Sequence, residues 1–380
     1  MKILLVGEYS RLHNSLQEGL RQLGHEVTLI ATGDFFKNYP ADIKLERTFD
    51  QGISKKLKVG LYTFFGIDLT ALSIKRQFFQ HQEKLKDFDV VQLINESPFA
   101  TTPNVEQTII SFLKQHNRKL FLLSCGTDHL SVSYALSDAL PYSILQGYKN
   151  GTVSKERYKY ILKYTWPEYK KLHEFVFTNV EGIIASDMDY HLPLAGHPKY
   201  YGLIPNPVNL TKLPYLEMPS EGPIVIFLGI NRNNYHFKGI RYFEEALELL
   251  QKKHSEAIEI KVVENVPYAE YIETYNRAHI VLDQVYSYDQ GYNALEAMAK
   301  GKVVFTGAET EFYDFYNLQD QVAVNAVPDA LKIAEALSDL IENRSKIKTI
   351  SKNARAFVEK HHDYIEVAKQ YLRVWNGEEH

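Results

Sequence analysis

The sequence carries a single cysteine, Cys125, among 380 residues. One thiol excludes an intrachain disulfide framework and a cysteine-built zinc site, and it suits a reducing compartment, the cytoplasm. No apolar run approaches the length a bilayer span requires. The opening Met1-Lys2-Ile3-Leu4-Leu5-Val6-Gly7-Glu8 reads as a strand interrupted too early for a secretion signal. An excess of charge of one sign is also missing. The 43 basic and 47 acidic residues leave a net charge of −4, which argues against a dedicated nucleic-acid binder. Only Gly7 stands in the turn after the first strand, where a dinucleotide fingerprint needs three spaced glycines; this counts against an NAD or FAD enzyme. Internal repeats and low-complexity tracts are absent as well.

What is present is the composition of a soluble globular protein, 45% hydrophobic and 24% charged. The chain is too long for one ordinary core, so two domains are expected. Aromatic residues reach 13%. They serve cores and sugar-handling surfaces alike and favour neither.

Apolar strands and amphipathic helices alternate throughout. Strands read at 2–6, 26–31, 89–94, 120–123 and 182–185, with helices at 14–23 and 105–115 between them. Gly202-Leu203-Ile204-Pro205-Asn206-Pro207-Val208 reads as a hinge, because two prolines fix the backbone. A second series follows: strands at 224–228, 258–263, 280–282 and 303–305, a helix at 270–278 after Pro267 and Tyr268, then helices at 331–341, 350–361 and 365–375. Strand-helix-strand crossovers imply parallel sheets, so the fold class is α/β with two parallel-sheet domains. The boundaries read as 1–206, 207–360 and a terminal helix at 361–380.

The most informative stretch is Asp289-Gln290-Gly291-Tyr292-Asn293-Ala294-Leu295-Glu296-Ala297-Met298-Ala299-Lys300-Gly301, after the strand Ile280-Val281-Leu282. It sits at the carboxyl end of a parallel strand, where open α/β sheets bind ligands. Gly291 opens a helix, so backbone N–H groups and the helix dipole there favour an anion such as a phosphate. Glu296 lies among Ala, Leu and Met, which suggests burial on most sides. Two roles are open to it: accepting both hydroxyls of a ribose, or pairing with Lys300 one turn on. Arg232 and Lys238, in the loop between the 224–228 strand and the next helix, are placed for a diphosphate, with surface charge as the alternative.

Three further features carry alternatives. Ser124-Cys125-Gly126-Thr127-Asp128-His129 ends a strand; Asp128 and His129 either face a cleft, or Thr127 or Asp128 caps the next helix. Asp187-Met188-Asp189 either holds a divalent cation with a diphosphate, or caps a helix through Ser186 or Asp187. Two segments mix aromatic and basic residues. The first includes Phe35, Phe36, Tyr62, Phe64, Phe65, Lys55, Lys56 and Lys58; the second runs from Tyr148 to Lys171. Peripheral contact with a membrane surface or a lipid-linked acceptor suits both, as do solvated helix faces over an aromatic core.

In sequence order, Gly24-His25-Glu26-Val27, the Ile204-Pro205-Asn206-Pro207-Val208 hinge, Lys238-Gly239 before an apolar helix, and Gly291 with Leu295-Glu296-Ala297-Met298-Ala299-Lys300-Gly301 resemble glycosyltransferases of the GT-B fold. The chain is most similar to the retaining family 4 enzymes, and the matches span nearly its whole length. That resemblance implies two Rossmann-like domains facing across a cleft, with the last helix crossing back to the N-terminal domain. It also implies that Arg232 and Lys238 hold a donor diphosphate and that Glu296 binds the ribose. The amides around Gly291, Tyr292, Asn293 and Ala294 would meet the distal phosphate and sugar. Asp128 and His129 would approach the reacting sugar from the other domain. The family pattern has two glutamates separated by seven residues, and here Tyr288 occupies the first position with Asp289 beside it. Tyr288, Asp289 and Val266 complete the expected donor-binding set.

The expectation is a cytoplasmic, metal-independent, cofactor-free retaining glycosyltransferase, with peripheral membrane contact through the aromatic-basic segments left open. It would move a sugar from a nucleoside diphosphate sugar to a glycan or lipid-linked acceptor in surface polysaccharide synthesis. A metal-dependent transferase using Asp187 and Asp189, a sugar-nucleotide epimerase or hydrolase, and a non-catalytic nucleotide- or glycan-binding protein are the alternatives.

Overall fold

The computed structural model describes residues 1–34, 37–50, 52–264, 266 and 268–378. Phe35, Phe36 and Pro267, named above, lie outside the described residues. The chain divides into two compact units. Unit 1 comprises Met1–Ser133, Tyr160–Pro207 and the chain from Tyr364 onward; unit 2 comprises Tyr134–Lys159 and Val208–Asp363.

Unit 1 is built on seven strands: β1 (Lys2–Val6), β2 (Glu26–Ala31), β3 (Ile43–Lys44), β4 (Val90–Leu93), β5 (Lys119–Ser124), β6 (Gly182–Ala185) and β7 (Tyr200–Leu203). They pair in the order β3-β2-β1-β4-β5-β6-β7, all parallel. The central strands are continuous apolar runs because helices cover both faces of a parallel sheet, and every residue of β4 and β6 is buried. Strand order reverses between β1 and β4. The crevice of such a sheet opens at the carboxyl ends of the strands flanking that point.

The terminal helix, Tyr364–Asn376, belongs to unit 1 and packs beside the helix Leu12–Gln22. It presents Val367, Ala368, Tyr371, Val374 and Trp375 inward. The indole of Trp375 donates to the buried Gln92 Oε1 at 3.0 Å, and Lys119 Nζ donates to the Trp375 carbonyl at 2.7 Å. One side chain thus fills core volume and satisfies a polar group in the middle of the sheet.

Unit 2 holds five parallel strands, β8 (Ile224–Ile230), β9 (Ile258–Glu264), β10 (Ile280–Leu282), β11 (Val303–Thr306) and β12 (Val324–Asn325), ordered β12-β11-β10-β8-β9. Helices Ile240–His254 and Ala330–Glu342 pack on each other, and Arg344–His361 covers the helix Tyr292–Ala299. The segment Tyr134–Lys159 reaches unit 2 through its aromatic residues. Tyr158 packs edge-on to Phe237 at 5.1 Å, and Tyr142 stacks on Tyr288 at 5.4 Å.

Replacing Trp375 by Ala removes a fully buried ring and leaves the Gln92 amide oxygen unpaired. A loss of about 3–5 kcal/mol in unit 1 is expected. Urea unfolding followed by circular dichroism checks this; an unchanged midpoint contradicts it.

Candidate functional site

Unit 2 gathers one set of polar groups at the carboxyl ends of β8, β10 and β11. Asp283 is the first residue past β10, held there by its N–H bond to the Phe305 carbonyl at 2.9 Å. Its carboxylate is buried, and one oxygen, Oδ1, accepts two hydrogen bonds. Lys238 Nζ donates at 2.7 Å and Asn293 Nδ2 at 2.8 Å. Asn293 is the second residue of the helix Tyr292–Ala299 and is fixed on two further sides. The Tyr271 hydroxyl donates to its side-chain oxygen at 3.2 Å, and the Tyr275 hydroxyl to its carbonyl at 3.0 Å. The ammonium of Lys238 is therefore tied through one carboxylate to the start of the glycine-opened helix. The Lys238 backbone is held too, since its carbonyl accepts from the Val285 N–H at 2.8 Å.

Gly291 is the residue before that helix, with an ordinary extended backbone (φ −78°, ψ 172°) and no side-chain cap. A Cβ built on it meets nothing within 4 Å, so the space beside Gly291 is open. Gly307 differs. A Cβ there would lie 2.5 Å from the Ser287 carbonyl oxygen and 2.6 Å from the Asp289 nitrogen, so this glycine lets the loops after β10 and β11 close on each other.

Glu296, on the same helix, is half-buried rather than enclosed on most sides. Lys300 does not simply pair with it; the Lys300 ammonium donates to Asn276 Oδ1 at 2.8 Å. Burial depresses the Lys300 pKa, and the charge of Glu296 acts in the opposite direction. Arg232 is engaged elsewhere. The β8–β9 register sets Ile230 opposite Glu264, and Arg232, two residues past β8, forms a two-pronged bridge to Glu264 at 2.9 and 2.6 Å. The structure joins Lys238 to the helix start and holds Arg232 on Glu264. Val266 lies two residues past β9 and is half-buried.

Tyr288 fills the place of the expected first glutamate and is 2% exposed. Its hydroxyl donates to the Tyr142 carbonyl at 3.2 Å, and the Tyr142 hydroxyl bonds Glu309. Tyr288 therefore anchors the segment Tyr134–Lys159. Asp289 is buried, and its Oδ1 accepts from the Gln290 N–H at 2.6 Å.

Unit 1 gathers a second set at the carboxyl ends of β1, β4 and β5. Asp128 is buried and caps the helix His129–Leu136: Oδ1 accepts from the Ser131 N–H at 2.7 Å, and Oδ2 from the Ser124 hydroxyl at 2.7 Å. His129 Nδ1 donates to the Tyr164 carbonyl at 2.8 Å, and its ring lies 5.0 Å from that of His173. His173 Nδ1 meets Glu96 Oε1 at 2.6 Å. Burial pushes the Glu96 carboxyl up to about 7, opposed by the His173 hydrogen bond. His173 is raised, since the bond and charge of Glu96 outweigh its own desolvation. Burial likewise lifts Glu8, just past β1, to about 8 against the hydrogen bonds of Asn14. The Cys125 thiol is pushed well above its ordinary value by burial and by the charge of Asp187, which keeps it from acting as a thiolate. The Asp187 carboxylate caps the helix Met188–Leu194 by accepting from the Asp189 N–H at 3.1 Å. Among the described residues no group of three or more His, Cys, Asp or Glu side chains is disposed to hold a metal ion.

Asp283, Glu96, His173, Tyr142 and Glu309 were not singled out from the sequence. Asp283 and Glu96 carry a legible signal, a carboxylate directly after an apolar strand. His173 sits mid-helix among lysines and carries none.

Two units with parallel sheets of seven and five strands, each with polar groups at its strands' carboxyl ends, make the fold that of the GT-B glycosyltransferases. Residues 227–373 match the family model described as glycosyl transferase-like. A sucrose-phosphate synthase from Thermosynechococcus elongatus is similar with a TM-score of 0.63 at 16% identity, covering 99% of each chain. HepE from Anabaena, solved in complex with UDP-glucose, gives 0.58 at 13% identity, over 99% of this chain and 100% of its own. A Listeria monocytogenes protein described as a UDP-N-acetylglucosamine 2-epimerase gives 0.54 at 11% identity, over 98% and 94%. No curated protein matches the sequence.

Two outcomes follow from these contacts. Gly291→Ala should melt like the parent, because its methyl enters open space, whereas Gly307→Ala should lose about 1–3 kcal/mol by forcing two backbones apart. Equal melting of the two variants contradicts this. Glu96 binds its proton more tightly folded than unfolded, so it contributes stability that is full below about pH 4.5 and is lost as pH rises to about 7. Glu96→Gln should remove that share, up to about 3 kcal/mol, from the stability–pH curve of unit 1. Curves of identical slope contradict it.

Proposed function

We propose that this chain is a glycosyltransferase that takes a hexose from a nucleoside diphosphate sugar held in unit 2 and passes it to a glycan or lipid-linked acceptor. The carrying observation is the Asp283 carboxylate joining the Lys238 ammonium to the helix that Gly291 opens. A cation and a row of first-turn amides fixed against one another, with open space in front of Gly291, suit a leaving diphosphate. The glycosyl transferase-like family match covers this part of the chain. The UDP-glucose complex of the similar HepE supports a UDP-sugar as the first donor to try.

In this reading the bond from the anomeric carbon to the diphosphate oxygen breaks as the acceptor oxygen bonds the same face of that carbon. The leaving oxygen takes the acceptor's proton. Lys238 and the amides of Tyr292, Asn293 and Ala294 hold the charge that accumulates on the diphosphate. Glu296 accepts from the ribose hydroxyls, and no step needs a metal. The retaining course and the place in surface polysaccharide synthesis rest on the sequence resemblance. Arg232 reaches the donor only by leaving Glu264, which makes it the weaker of the two cations in this role. Asp128 acts by setting the start of the helix that carries His129.

A second reading, a sugar-nucleotide epimerase, is favoured by one observation: the buried Glu96–His173 pair is suited to proton transfer, which a front-face transfer does not require. Incubation with UDP-glucose or UDP-N-acetylglucosamine separates the readings. A transferase releases UDP in proportion to a mixed glycan acceptor, and the new bond keeps the donor's anomeric configuration by NMR. An epimerase interconverts the sugar nucleotide without acceptor. Saturable binding with no turnover of any kind leaves a binding protein and contradicts both.

Two substitutions sharpen the test. Lys238→Ala should lower kcat by roughly 10²–10³-fold, as removal of a donor to developing negative charge does. Glu296→Ala should weaken donor affinity by about 10–100-fold in calorimetry while the melting temperature holds. Full donor affinity in Glu296→Ala contradicts the ribose role.

A further inference from the structure

We infer that unit 1 carries a peripheral membrane-binding face, formed by the helix Gly52–Phe65 with the corner that follows it, and that its partner is the surface of an anionic bilayer. This does not rest on the transferase reading. Within 52–67 there are three lysines and no acidic residue; Lys55 and Lys56 are exposed, while Lys58 is paired with Asp50. The large apolar side chains of the stretch point outward: Phe64 is 81% exposed and Phe65 71%, with Leu57, Val59, Tyr62 and Ile67 also exposed. Single exposed apolar residues are ordinary on a soluble protein, but six within eleven positions form a patch that water alone does not favour.

The geometry says how the patch would be used. No single helix among the described residues is long and apolar enough to cross a membrane. The segments Ser54–Phe65 and Leu69–Gln80 are apolar enough together but meet at 101°. At 14 and 12 residues, the two helices are each short of the ~20 needed to span. The bend leaves Phe64, Phe65 and Ile67 at an outward corner. Apolar rings at a corner, with lysines along the same helix, are the makings of an element that lies in the headgroup layer.

A second segment of unit 1 combines aromatic rings and cations in the same way. Tyr169 packs against Tyr164, with Lys163 above both rings at 5.0 and 5.2 Å. Trp166, Lys170 and Lys171 are exposed in the segment that holds Tyr169. The cations are suited to lipid phosphates, and an indole half out of the protein is suited to the interface. The face also adjoins the carboxyl edge of the sheet. Arg47, just ahead of the helix, donates to the Phe99 carbonyl at 2.9 Å, in the loop that follows Glu96. A lipid-linked acceptor held at the bilayer surface would be presented to that edge.

The test is co-sedimentation of the full chain with vesicles of phosphatidylcholine alone and with vesicles that also contain phosphatidylglycerol. Binding to the second and not the first, weakened by salt, is expected. Charge reversal in Lys55→Glu/Lys56→Glu should reduce affinity for the anionic vesicles by roughly 30-fold or more, taking about fivefold per basic residue at the surface. Phe64→Ser/Phe65→Ser should release the protein at unchanged melting temperature, since neither ring supports the core. Failure to bind either vesicle, or equal binding by parent and both variants, overturns the inference. So does gel filtration in which the parent dimerises and Phe64→Ser/Phe65→Ser does not, because the patch then belongs to a second copy of the chain.

Discussion

Unit 2 is organised around one buried carboxylate. Asp283 leaves β10 at the point where the sheet ends, and its Oδ1 accepts from both Lys238 and Asn293. Burying a carboxylate is costly unless its oxygens are paired. Here the pairing draws a cation from the β8 side and a helix start from the next crossover onto one point. The tyrosines on Asn293 complete the arrangement, because Tyr271 and Tyr275 come from the helix Tyr268–Arg277 that feeds β10. An anion site needs donors that are already in place before the anion arrives, and this network supplies such an arrangement.

The same economy appears in unit 1, with a different chemistry. There the groups at the strand ends are acids and imidazoles that hold protons more or less tightly than in water. Glu8 and Glu96 are raised by burial and His13 is lowered to about 3 by burial. Such groups carry less charge near neutrality than free carboxylates do. The two units thus differ in the charge at their strand ends, although both are parallel sheets with crossovers.

Much of this was legible in the sequence because parallel strands buried on both faces read as plain apolar runs. β1, β4, β5, β6, β8, β10 and β11 all announced themselves so, while β2 and β9 carry polar residues within an apolar pattern. β3, β7 and β12 did not: they have two to four residues and lie at sheet edges, and β7 is mostly not apolar. Lys238, Gly291 and Asn293 were legible because a helix start after a strand has a recognisable grammar. Arg232 was legible as a cation but not as the partner of Glu264, since that pairing depends on the register of β8 against β9. The membership of Tyr134–Lys159 in unit 2 was hidden for a similar reason. It depends on Tyr142 meeting Tyr288 and Glu309, contacts between residues more than 140 positions apart. Tyr288 shows the limit most clearly: the sequence marks it as a departure from the glutamate pattern, and only the fold gives it a role as an anchor.

The most direct measurement of the central claim compares the affinity of the protein for a nucleoside diphosphate and for the bare nucleoside of the same base, by calorimetry at low salt. If Lys238 and the Gly291 helix start hold the diphosphate, UDP should bind at least about a hundredfold more tightly than uridine, the value of two charge-assisted hydrogen bonds. Equal affinities, with UDP unaffected by Lys238→Ala, would contradict the account.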